Sequence, residues 1–137
     1  MDLHFDQLNV FAVVASVVAG QVLSTLWFTV LFGDAWAREY GVESRQEHTK
    51  QVPGYTYGVQ LACTVALTLS LALLQAALGV DSLGQAMGLG AVVALGFCVA
   101  TGLPGQAFLK RWRAAGIALG SQVMMILVIS GVLGAWG

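Results

Sequence analysis

Histidine and cysteine are the side chains best suited to hold a metal or to act as base and nucleophile. The chain has two of each: His4, His48, Cys63 and Cys98. No two of them stand at metal-ligand spacing, and there is no C-x-x-C pair. His48 lies among charged neighbours, as a solvated surface residue would. Both cysteines sit inside long apolar runs and read as small buried packing residues. Met124 and Met125 read as packing filler, because no further Met or His lies nearby to complete a copper site. Neither paired carboxylates nor a nucleophile beside a base can be picked out. The sequence therefore assigns no catalytic residue, no metal ligand and no cofactor.

What remains is uncharged polarity inside apolar runs: Gln21, Gln60, Gln75, Thr101, Gln106, Ser121 and Gln122. Two readings stay open. These groups hydrogen-bond between helices, or some of them line a small polar cavity. Gln106 and Gln122 are the cavity candidates. The first lies just after an interruption at Pro104, and the second lies less than three turns into the next helix.

The elements that must position these residues are read from charge. No Asp, Glu, Lys, Arg or His occurs at 8–33, 54–80, 82–109 or 114–137. A bilayer core of roughly 30 Å needs about 20 apolar residues of helix. Spans are expected at about 8–33, 55–78, 83–109 and 114–136. Composition agrees: 58% of the residues are hydrophobic and 9% charged, with mean hydropathy +0.80, against roughly 25% charged in soluble domains. The expected fold is all-α, one integral membrane domain built as a four-helix antiparallel bundle. No basic tract exists to meet nucleic acid. The lead Met1-Asp2-Leu3-His4-Phe5-Asp6 lacks the basic region of a signal peptide, so the first run reads as a retained helix.

Small residues let helix backbones approach in lipid. Ala12, Ser16, Gly20 and Ser24 recur every fourth residue in the first span. Gly84-x-x-x-Gly88 opens the third and Gly116-x-x-x-Gly120 the fourth, and these residues are the candidate packing positions. Trp27, Trp36, Trp112 and Trp136 fall near span ends and read as interface anchors. Ser44-Arg45-Gln46-Glu47 has the form of a capping box and predicts a short helix over 45–51, ended by Pro53-Gly54. Asp81 or Ser82 is the expected N-cap of the third span. Pro104 predicts a kink or a break, and in a transporter such a break can mark a binding site.

All six Lys and Arg residues fall in two places. Arg38, Arg45 and Lys50 come after the first span, and Lys110, Arg111 and Arg113 after the third. The positive-inside rule places both segments in the cytoplasm and both termini outside the inner membrane. No ionisable side chain lies deep in a span, which argues against a self-contained proton-coupled transporter.

Leu26-Trp27-Phe28, Leu31-Phe32-Gly33-Asp34-Ala35-Trp36, Lys110-Arg111-Trp112-Arg113 and Gly131-Val132-Leu133-Gly134-Ala135-Trp136 occur in that order. Together they resemble the small membrane proteins grouped as domain of unknown function family 1761. Phe28 stands where that family usually has Tyr, and Ser121-Gln122 where it often has an aromatic residue followed by His. The resemblance covers nearly the whole chain and implies a four-helix bacterial membrane protein with no established activity. Two functions are expected from the residues. The first is a non-enzymatic protein acting through helix packing, with its own copies or within a larger membrane complex. The second is a carrier or pore for a small neutral or amphipathic solute.

Overall fold

The computed structural model describes residues 8–39 and 54–136, and every regular element among them is helical. Helix α1 (Val10–Leu26) runs into a π-helical turn, π1 (Trp27–Leu31). A short helix, α2 (Gly33–Glu39), comes next. Helix α3 is Tyr55–Ala77. Helix α4 (Leu83–Val92), a second π segment, π2 (Val93–Val99), and α5 (Ala100–Phe108) form one continuous rod. Helix α6 is Trp112–Trp136. Four spans result: Val10–Leu31, Tyr55–Ala77, Leu83–Phe108 and Trp112–Trp136, each long and apolar enough to cross a membrane. The short helix expected over 45–51, with its capping box and His48, lies outside the described residues, as does His4.

The ends obey local chemistry. The Asn9 side chain accepts from the N–H groups of Phe11 and Ala12 at 3.0 and 3.2 Å and starts the first span. Ser82 caps the third by accepting from the Gln85 N–H at 3.2 Å. Gly79 ends α3 at φ +68, a left-handed conformation that glycine adopts without strain. Lys110 takes the equivalent place after α5 at φ 56. Its N–H donates to the Ala107 carbonyl and that of Arg111 to the Gln106 carbonyl. That pattern closes a helix whatever residue sits at its turn. The chain also runs helically through Pro104. Of the kink or break expected at Pro104 no break occurs, and a π-helical irregularity lies one turn earlier, in π2.

Span 4 is the hub. In its most apolar window 39% of residues are buried, against 17–22% in the other three. Span 1 meets it through the stripe Ala12, Ser16, Gly20 and Ser24, which are the buried residues of α1. A Cβ on Gly20 would stand 3.2–3.4 Å from Ile129, Thr64 and Met125, so this glycine lets three spans converge. Val10, Val14, Val18 and Val22 point outward from the same helix. Small residues inside and large apolar ones outside is the arrangement expected where lipid is the solvent.

Spans 3 and 4 meet along Ala86, Gly90 and Ala94 on one side and Ser130 and Gly134 on the other. A Cβ on Gly90 would come within 2.7 Å of Ser130 Oγ, and one on Gly134 would overlap the Ala86 Cβ. Gly84, Gly88 and Gly116 make no such approach: among the described residues nothing stands within 4 Å of a Cβ added at any of them. The reason is helical phase: Ala86 is two residues past Gly84, about 200° around the axis. Gly120 does face a neighbour, the Trp27 ring, at 3.0 Å.

Leu71, Ala94, Met125, Ile126 and Ile129 form the core. Spans 2 and 3 pack together beside their hairpin, through α3 and α4, and part beyond it. The bundle is thus tight at the hairpin end and open towards the end that carries α2 and the 109–112 joint.

Gly134→Ala should destabilise the fold by about 1–3 kcal/mol, because an added methyl in a filled contact forces the backbones apart. Gly88→Ala should leave stability unchanged or raise it, since alanine is the better helix former. Unfolding in mild detergent followed by circular dichroism measures both.

Candidate functional site

The opening between spans 2 and 3 forms a cleft of about 590 Å³. Its position is set by which half of each span lines it. Ser24 and Phe28 come late in span 1, Gln60, Cys63, Thr64 and Leu67 early in span 2. Val93, Phe97 and Cys98 belong to π2, and Ala118, Ser121, Gln122, Met125 and Ile126 run from the first half of span 4 to just past its middle. The cleft therefore occupies one half of the membrane thickness, on the side of α2 and Arg111. Trp36 of α2 also lines it and meets Phe28 edge-on at 5.1 Å.

Both π segments border this cleft. A π turn closes on the fifth residue back rather than the fourth, so it holds one extra residue and rotates the downstream helix by about 100°. The Phe32 N–H donates to the Trp27 carbonyl at 2.9 Å, five residues back. The Ala100 N–H reaches the Leu95 carbonyl in the same way. Hydroxyls support these loosened turns: Thr29 donates to the Thr25 carbonyl and Thr101 to that of Phe97.

Polar groups join the walls. Thr64 Oγ1 donates to Gln21 Oε1 at 2.8 Å, linking spans 1 and 2, and accepts from Gln60 Nε2 of its own span at 3.3 Å. Cys98 Sγ donates to Gln122 Oε1 at 2.8 Å, linking spans 3 and 4. Trp27 Nε1 donates to the Ile117 carbonyl at 2.8 Å, fixing span 1 on span 4. Outside the cleft, Gln75 Nε2 donates to the Ser130 carbonyl at 3.2 Å and locks the tight end. Ser24 and Ser121 are each more than nine-tenths buried and line the cleft. Their hydroxyls make no hydrogen bond among the described residues. In contrast, Thr68 and Ser70 each donate to the carbonyl four residues back.

Of the two cavity candidates, the structure brings Gln122 to the cleft and not Gln106. Gln106 lies eight residues beyond Cys98, about 12 Å further along the span, and its Oε1 is buried without a partner. The cysteines are corrected too: Cys63 is exposed and Cys98 only half-buried, and both line the cleft, one on each side of the opening. Trp27, expected as an interface anchor, has its indole N–H bonded inside the bundle. Trp112 and Trp136 are exposed near span ends. Sequence reasoning does not single out Ser24, Gln60, Thr64 or Phe97 as cavity residues. Gln60 carries a visible signal, as a polar residue in an apolar run, but the π turns that aim Phe28 and Phe97 carry none.

Among the described residues no carboxylate, lysine, arginine or histidine lines the cleft, and no group of three metal-ligating side chains occurs. The arrangement is that of a polytopic α-helical membrane protein with an uncharged cleft between two of its spans. The chain belongs to the family described as Protein of unknown function (DUF1761), whose model matches residues 11–134 and so takes in every residue of the cleft. No curated protein and no solved structure matches it.

Proposed function

We propose that this protein binds a small neutral amphipathic molecule in the cleft and acts as its carrier, without chemical conversion. The single observation that supports this reading is the uncharged 590 Å³ opening between spans 2 and 3, a volume within the usual range of small-molecule sites. A charged solute would lose its hydration there, and the described residues that line the cleft offer it no counter-charge. Lateral entry from lipid favours a molecule already dissolved in the membrane. The close contacts of Gly90 and Gly134 at the hairpin end argue for a carrier rather than an open pore.

Protein purified in mild detergent and analysed by mass spectrometry of its organic extract is expected to retain one class of neutral lipophilic compound. Cys63→Trp places an indole in the cleft from an exposed position and should cut retention about tenfold or more, equivalent to roughly 1.4 kcal/mol, with helicity unchanged. Equal retention by the variant would remove the cleft from consideration.

We place the protein in the inner membrane with both termini outside, on the strength of the six-to-zero distribution of Lys and Arg. Single cysteines at Asp6, Asp81 and Glu47, in a Cys63→Ser, Cys98→Ser background, test this in intact cells. An impermeant thiol reagent should label positions 6 and 81 and spare 47. The opposite pattern reverses the orientation.

A second reading is self-association, and the uncovered Gly84-x-x-x-Gly88 face supports it. In-membrane crosslinking should then yield a dimer that Gly88→Leu abolishes. A monomer under all conditions would count against it.

A further inference from the structure

We infer that the cleft takes a lipid-soluble ring carbonyl compound: a planar quinone-like ring with two carbonyl acceptors and a hydrocarbon tail. This rests on the reading of the cleft as a binding site and names its ligand class.

The first argument is the balance of donors and acceptors. Ser24 and Ser121 bring hydroxyls from two different spans, and neither spends its proton on its own helix as Thr68 and Ser70 do. Gln122 uses its Oε1 to accept from Cys98, which leaves its amide N–H groups to donate. The site is therefore rich in unspent donors, brought by spans 1 and 4. A ligand with two carbonyl acceptors and no donor of its own satisfies them.

The second argument is shape. Phe28, Trp36 and Phe97 offer ring surfaces to the cleft from span 1, α2 and span 3. Aromatic side chains favour offset or edge contacts with a flat partner. The third argument is access and charge. Among the described residues none that lines the cleft is charged, so they offer a phospholipid headgroup no counter-ion. The gap between spans 2 and 3 leaves a tail free to lie in lipid while the ring is held.

The test uses the full chain in phosphatidylcholine nanodiscs, with decyl-substituted benzoquinone as the probe. A quinone seated beside Trp36 quenches its fluorescence, so saturable quenching is expected. Trp36→Phe should lose most of that saturable signal. Ser24→Ala combined with Ser121→Ala should weaken binding about tenfold or more, with an unchanged melting curve, as expected for loss of two hydrogen bonds of about 1 kcal/mol each. Saturable quenching that survives both variants unchanged overturns the assignment. So does displacement of the retained compound by a monoacylglycerol and not by the quinone. That last result would leave the cleft standing as a binding site with a different ligand, and failure of both probes to compete would count against the site itself.

Discussion

In hydrocarbon an apolar side chain gains little by leaving lipid for another helix, so the assembly depends on how closely backbones can approach. Here that approach is made around span 4. Gly20 lets spans 1 and 2 close on Met125 and Ile129, while Gly90 and Gly134 let span 3 close on it from the other side. The valines of span 1 face outward because lipid accommodates them as well as protein would. Where the small residues give way to Phe28, Trp36 and Phe97, spans 2 and 3 no longer meet. The cleft is the consequence of packing that is tight at one end of the bundle and bulky at the other.

Polarity obeys the same division. At the tight end Gln75 is buried and bonded to the Ser130 carbonyl. At the open end Thr64 and Gln122 are bonded across spans yet still line the cleft. Interhelical hydrogen bonds of this kind contribute only about 0.6 kcal/mol each on average. Their weight lies in fixing register between helices that slide easily against one another. The Trp27–Ile117 bond does this at the point where span 1 leaves its regular helix.

The two π turns adjust register within a span. Each rotates the helix downstream of it, and together they bring Phe28 and Phe97 to one cleft. π turns of this kind are frequent at functional sites, because the loosened turn costs stability that a plain bundle has no reason to give up.

Four spans were legible from charge-free runs alone, since the bilayer sets their length and excludes ionised groups. The stripe Ala12, Ser16, Gly20, Ser24 was legible for the same kind of reason: a four-residue repeat of small side chains marks one helix face. The choice between competing glycine repeats was not. Gly84-x-x-x-Gly88 and Ala86-x-x-x-Gly90 are equally good patterns on opposite faces of one helix, and only the position of Ser130 and Gly134 on the neighbour selects the second. The cleft was half legible. A glutamine in an apolar run signals polarity, but whether it meets a partner or a void depends on the neighbouring spans. Gln75 and Gln122 look alike in sequence, and tertiary structure alone buries one and opens the other. It also decides the π turns, because a one-residue shift in hydrogen bonding leaves no mark on composition or period.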